Sequence, residues 1–266
     1  MTKKKILVLA LSLAMVAILA VGGSLAYFTS EDKAENTFTA GGVEIDLIEQ
    51  QVNEAGTALE NFKQGQTLFP IVGSAQGEKD EFGQPIAENY VDKIVTIKNT
   101  GRSAAYIRAY FAIPSALDNG YETFNAGLNV LHFNFGNKIV DGDVISTEGA
   151  EWIWTHGNKW NYFETTIDDI KYNVYFADYY QAVDAGATTE QFISGVYLDK
   201  NVDMEEGKYT DKRDPDADLS ILEGTVKCPV YAVAVQAAGF DNAADAITAA
   251  FGENYNPFGG TATNWQ

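Results

Sequence analysis

The sequence predicts an all-β fold, a jelly-roll-like antiparallel β-sandwich with one short C-terminal helix and loop insertions. Apolar and polar residues alternate along many segments of the chain, and a period of two is typical of strands with one buried face. About ten such segments, separated by turn residues, indicate a sandwich or a jelly roll. With 266 residues, 46% of them hydrophobic, the chain is long enough to bury a sizeable core.

The first 26 residues are predicted to be a cleavable export signal. Residues 3–5 are lysines, residues 6–21 form an apolar run, and small residues stand at Ser24 and Ala26. This order fits a signal peptidase that cuts between Ala26 and Tyr27. The apolar run is shorter than the ~20 residues of a membrane-spanning helix. We therefore expect a secreted protein with no stable membrane insertion after cleavage.

The rest of the chain is divided into an N-terminal segment, residues 27–42, and a single β-sandwich domain, residues 43–266. In the domain, Ile107, Ala109 and Phe111 alternate with Arg108 and Tyr110, which predicts a strand with two distinct faces. Residues 170–176 alternate in the same way. Residues 94–98 lead into the turn signal of residues 99–101, which predicts a hairpin with the strand that follows.

Two further elements are predicted near the C-terminus. Residues 226–237 are apolar on both faces, as in an interior strand. Proline cannot donate a ladder hydrogen bond, so the strand is expected to begin after Pro229 or to bulge there. Asp241 is predicted to be the N-cap of an alanine-rich helix over residues 243–251. Residues 50–89 and 199–224 are polar or charged and are interpreted as surface insertions.

Composition excludes several classes of function. The formal net charge is -19, and the one lysine cluster lies in the export signal, so the mature surface repels phosphate backbones and nucleic-acid binding is not expected. A single cysteine, Cys228, excludes an internal disulfide. Because Cys228 lies in an apolar run and no recognisable nucleophile motif surrounds either histidine, we interpret it as a small buried residue.

Metal chemistry has two candidate sites in the sequence. A zinc peptidase needs about three ligands, but the HExxH motif is absent. Carboxylates could complete a site with His132 and His156, but nothing in the sequence brings these two histidines together. A calcium site is more plausible, because D-x-D-x-D spacing can wrap a hard cation. An EF-hand loop is not matched, so a solvated acidic turn is the favoured interpretation and calcium as a structural clip remains open. The three candidate calcium ligands are Asp214, Asp216 and Asp218.

An aromatic segment offers a third candidate site. It contains Trp152, Trp154, Trp160, Tyr162 and Phe163. These rings are suited to stacking on a sugar, but aromatic residues on neighbouring strands more often pack against each other across the sheet. We therefore expect cross-strand packing.

Residues 20–47, AVGGSLAYFTSEDKAENTFTAGGVEIDL, resemble the start of proteins exported with a SipW-type signal peptide. This family includes TasA-like biofilm-matrix fibre proteins and camelysin-like surface proteins. The matching features are the glycine pair before the cleavage site, the aromatic pair after it, and the TFTAG motif at residues 37–41. A weaker resemblance covers residues 230–252. The resemblance implies a sandwich fold on the surface of, or in the matrix around, a Gram-positive-type bacterium.

The resemblance also assigns a role to residues 27–40. The segment is polar, with apolar residues at Tyr27, Phe28, Phe38 and Ala40, and it precedes the first clear strand. We therefore expect it to belong to no sheet of its own subunit. TasA-like fibres are held together by a donated N-terminal strand, which implies that this chain polymerises with copies of itself by donor-strand exchange. A camelysin-like secreted metallopeptidase and a monomeric surface adhesin are the alternatives.

Overall fold

The computed structural model describes residues 29–33, 42–120, 128–135, 139–140, 143–144, 151–156, 159–205 and 208–266. Two antiparallel sheets pack face to face, and a short helix covers the outer face of one of them. The prediction of an all-β sandwich with one short helix is confirmed, while the jelly-roll connectivity stays a prediction.

The first sheet has six strands. All strands of the molecule are numbered together in chain order. They are β1 (Thr29–Lys33), β5 (Ala105–Pro114), β9 (Trp152–Ile153), β12 (Tyr162–Ile167), β13 (Ile170–Tyr179) and β17 (Val230–Gln236). Across the sheet the order is β1-β17-β5-β13-β12, and β9 also pairs with β13. As expected, β17 begins directly after Pro229, since proline has no backbone N–H for the ladder.

The second sheet has five strands, in the order β3-β2-β4-β14-β6. They are β2 (Ile45–Val52), β3 (Leu59–Asn61), β4 (Val91–Asn99), β6 (Leu131–Phe135) and β14 (Ile193–Leu198). Three short hairpins complete the described strands. They are β7 (Ile139–Val140) with β8 (Asp143–Val144), β10 (Thr155–His156) with β11 (Lys159–Trp160), and β15 (Val202–Glu205) with β16 (Lys208–Asp211).

The molecule has two apolar cores, one on each face of the six-stranded sheet. Ile107 and Phe111 of β5 lie in the core between the sheets, together with Val95 of β4. Tyr110 of β5 lies in an outer core together with Ile247 of the helix. The period-two alternation predicted for β5 is therefore confirmed, and every residue of this strand is buried because both faces are covered.

The helix, α1, spans Ala243–Phe251, as the sequence predicts. The predicted N-cap, Asp241, is wrong. Asn242 has the extended backbone of a cap, and its side chain accepts a hydrogen bond of 2.9 Å from the Asp245 N–H. Both residue types are good caps. The choice between them depends on which residue adopts the extended backbone that a cap requires.

The hairpin predicted at residues 94–101 is also wrong. The turn connects β4 of one sheet to β5 of the other, so it is an arch between the sheets. Asn99, which is fully buried, explains this path. Its amide donates hydrogen bonds of 2.8 Å to the carbonyls of Ser103 and Val183, and its side-chain oxygen accepts one of 3.0 Å from the Gly101 N–H.

Candidate assembly edge

The N-terminal strand forms one edge of the six-stranded sheet. β1 pairs antiparallel with β17 in a five-residue register, from Thr29 opposite Val235 to Lys33 opposite Tyr231. On its other side β17 pairs with β5 over seven residues. With β1 in place, β17 is therefore an interior strand. Without β1, the backbone groups that β17 directs toward it would have no partner in this sheet.

The composition of β1 differs sharply from that of its partner. Its five residues, TSEDK, include no apolar residue, whereas Tyr231 and the residues from it to Val235 are all buried. Burial of apolar area is the main stabilising term in folding, at roughly 25 cal/mol per Å². A strand without apolar residues contributes little of this term, so the attachment of β1 relies mainly on backbone pairing.

A backbone clamp fixes the point where the chain enters the five-stranded sheet. The Gly42 carbonyl accepts hydrogen bonds from the N–H groups of Arg102 and Ser103, at 2.7 and 3.1 Å. The Glu44 carbonyl accepts from those of Thr100 and Gly101, at 2.9 and 3.0 Å.

Glycine is required at position 101 by this close approach. A Cβ at Gly101 would lie 2.5 Å from the Gly42 carbonyl oxygen and 2.7 Å from the Glu44 nitrogen. The clamp was missed by sequence reasoning, and the available signal was a glycine two residues after the turn asparagine, Asn99.

The predicted assembly residues are only partly within the described structure. Ala26, Tyr27, Phe28, Phe38 and Ala40 lie outside the described residues. The expectation that the segment belongs to no sheet of its own subunit is wrong for residues 29–33, which form β1. The physical reason is that β17 offers a free edge to the nearest extended segment.

His132, considered as a zinc ligand, contacts charged groups on other elements. Its Nε2 lies 3.0 Å from Asp199 Oδ2, which is 3.3 Å from Arg213 Nη1, and its ring stacks on Tyr197 with centroids 4.9 Å apart. Burial lowers the pKa of His132, although Asp199 acts in the opposite direction. The side chain of His156 lies outside the described part of the structure.

The three candidate calcium ligands are exposed and are not gathered around one point. Among the described residues no group of three or more His, Cys, Asp or Glu side chains could hold a metal ion. Asp218 instead accepts a hydrogen bond of 3.0 Å from the Ser220 N–H, at the start of a short 3-10 helix (Ser220–Glu223). The Asp214 carbonyl accepts from Ala217, and Asp216 lies exposed between them.

The aromatic segment packs across strands as expected. Trp152, Trp154, Tyr162 and Phe163 are each at most 5% exposed, so they offer no platform to a sugar. Trp154 stacks on Phe192, with ring centroids 4.6 Å apart.

The thiol of Cys228 is enclosed by protein. The residue as a whole is half-buried and packs against the core between the sheets. Burial raises the pKa of the thiol to about 12, so the thiol stays protonated at neutral pH. A protonated thiol is unreactive.

Comparison with protein-family models, with curated proteins and with solved structures finds no match to this chain. The fold itself defines an antiparallel β-sandwich whose first described strand forms an edge of one sheet. None of the helices in the described residues has the length and apolar character needed to cross a membrane.

Proposed function

We propose that this protein is an exported structural protein of the cell surface or extracellular matrix, and that it assembles into fibres by donor-strand exchange. In the fibre, β1 of one copy pairs with β17 of the next copy instead of with its own β17. The observation that carries the proposal is the position of β1: the first described strand fills the edge of β17, and an identical edge exists on every copy.

The exchange conserves the interactions that hold β1. The same five-residue pairing forms within one chain or between two, so the difference in free energy between the two states is small. Domain swapping is a low-cost route to assembly for this reason. When each copy donates in one direction and accepts from the other, the contact does not close, and a filament results.

The connection between β1 and the clamp gives the strand enough reach. Residues 34–41 lie between Lys33 and Gly42, and eight extended residues span at most roughly 29 Å. Paired strands are about 4.8 Å apart and packed sheets about 10 Å apart. Residues 34–41 are therefore numerous enough for β1 to leave its own sheet while the hydrogen bonds to the Gly42 carbonyl stay formed.

Electron microscopy of three purified chains tests the proposal. A chain that begins at Tyr27 is expected to form filaments, and a chain that begins at Gly41 is expected to form none. The third chain carries Glu31→Cys and Val233→Cys, which are register partners, so an oxidised disulfide holds β1 in its own sheet. This stapled chain is expected to form filaments only after reduction.

Two outcomes of this experiment contradict the proposal. Filaments from the chain that begins at Gly41 would show that β1 is not the assembling element. Filaments from the oxidised stapled chain would show that assembly does not require release of β1. Cys228 is a poor competitor for the disulfide, because its thiol is enclosed by protein and burial raises its pKa above that of an exposed cysteine.

A further inference from the structure

The C-terminal segment, residues 261–266, lies along the other edge of the six-stranded sheet. The Glu164 N–H of β12 donates a hydrogen bond of 2.8 Å to the Thr263 carbonyl, and the Thr263 N–H donates one of 2.9 Å to the Glu164 carbonyl. The Gln266 N–H donates one of 3.0 Å to the Tyr162 carbonyl. The segment therefore forms hydrogen bonds to backbone groups of Glu164 and Tyr162, as a neighbouring strand would.

Side chains hold the segment in place. The Trp265 ring stacks on Phe163 of β12, with centroids 4.1 Å apart, and is inclined at 64° to the Phe176 ring, with centroids 6.4 Å apart. Just upstream, the Asn256 amide donates a hydrogen bond of 2.9 Å to the Thr165 hydroxyl. The C-terminal segment thus covers both the edge of β12 and part of the outer core.

We infer that the outer edge of β12 is a self-association surface for a second copy of this chain, and that the C-terminal segment keeps it closed. Without the segment, the N–H and carbonyl of Glu164 lose their hydrogen bonds to Thr263, and Phe163 loses the stacked Trp265 ring. Unpaired backbone groups beside an apolar side chain are a template for pairing with another strand.

A second β12 is the occupant that fits this edge best. Two identical edges can pair antiparallel about a two-fold axis, so that each supplies the donors and acceptors that the other lacks. Such a contact is closed and yields a dimer. The inference concerns the edge opposite β17 and does not require donor-strand exchange. Because the C-terminal segment closes the β12 edge, the β17 edge is the edge of this sheet at which copies of the full chain can exchange strands.

Mass measurement by light scattering tests the inference in the oxidised stapled chain, in which β1 cannot leave its sheet. Thr263→Pro removes the N–H that bonds to Glu164, and Thr263→Ala, the matched control, keeps it. A third variant ends at Gly260. The Thr263→Pro chain and the shortened chain are expected to have twice the mass of one chain, and the Thr263→Ala chain the mass of one.

Hydrogen exchange at the Glu164 amide decides between the remaining outcomes. In a dimer through β12, this amide regains protection as protein concentration rises. A shortened chain that keeps the mass of one chain, with fast exchange at Glu164, overturns the inference, because the edge is then open and does not pair. If the shortened chain does not fold, the mass and the Glu164 exchange rate of the Thr263→Pro chain decide the question. Fast exchange at Glu164 in that chain, without a gain in mass, also overturns the inference.

Discussion

Two buried polar groups show how single residues specify this sandwich. Arg108 of β5 and Asp178 of β13 form a bidentate ion pair, with Nε–Oδ1 at 2.6 Å and Nη2–Oδ2 at 2.9 Å. Both side chains are more than nine-tenths buried, at 8% and 3% exposed, and the guanidinium lies 4.8 Å above the Phe176 ring. The pair favours the observed register of β5 against β13, in which Arg108 and Asp178 lie directly opposite each other, because a shift would leave both charges buried without this contact.

The second group is Asp118, a buried carboxylate just after β5. Its Oδ2 accepts hydrogen bonds from the Tyr175 hydroxyl at 2.7 Å and the Asn173 amide at 2.8 Å, and its Oδ1 accepts from the Asn129 amide at 2.8 Å. Burial raises the pKa of Asp118, although the bonds from Asn173 and Tyr175 act in the opposite direction. Asp118 thus ties β13 to the segment before β6.

Removing one member of the ion pair should destabilise the fold strongly. Arg108→Met leaves the Asp178 carboxylate buried without its partner, which typically costs about 3–5 kcal/mol. The double variant Arg108→Met/Asp178→Leu should recover much of this loss, because neither residue then brings a charge into the core. Urea unfolding curves measure both effects. A loss below about 1 kcal/mol in the single variant, the size expected of an exposed pair, would contradict this account of the pair.

At the scale of the element, caps and turns explain where strands and the helix end. The turn between β12 and β13 consists of Asp168 and Asp169, with φ of 49° and 64°. A two-residue hairpin turn of this kind needs positive φ at both positions, and aspartate tolerates it. The acidic pair is therefore explained by backbone geometry. At α1, the cap residue decides where the helix begins.

The cap assignment of α1 can be tested directly. Asn242→Ala removes the side-chain acceptor of the Asp245 N–H and should cost about 1 kcal/mol of the free energy of unfolding. Asp241→Ala is the matched control and should cost little, because Asp241 precedes the cap. Thermal or urea unfolding of the two variants gives the comparison. The reverse order of stabilities would show that Asp241, not Asn242, caps the helix in solution.

At the scale of the whole molecule, the two ends of the described chain lie on opposite edges of one sheet. β1 covers β17 at one edge, and the C-terminal segment covers β12 at the other. The N-terminal cover contains no apolar residue, whereas the C-terminal cover is held by the Trp265 stack. This asymmetry favours release of β1 over release of the C-terminal segment. In the proposed fibre, each copy would then donate only its N-terminal strand.

The sequence predicted the parts of the fold that carry an apolar pattern. β5, β13 and β17 alternate or are apolar throughout, and α1 is alanine-rich, so burial alone identifies them. It did not predict β1, because a polar strand held by backbone pairing has no such pattern. Nor did it predict the arch at Asn99, whose partners include Val183, far away in the sequence. The C-terminal segment was missed for the same reason, since its contacts depend on β12.

A disulfide formed after assembly tests donor-strand exchange most directly. The chain with Glu31→Cys and Val233→Cys would be assembled under reducing conditions, then oxidised and separated on a denaturing, non-reducing gel. A control chain with Thr166→Cys and Lys171→Cys joins β12 to β13, which are not exchanged. The account predicts a ladder of dimers, trimers and longer species for the first chain and a single monomer band for the control. A monomer band from both, taken from filaments that are visible by electron microscopy, would contradict it.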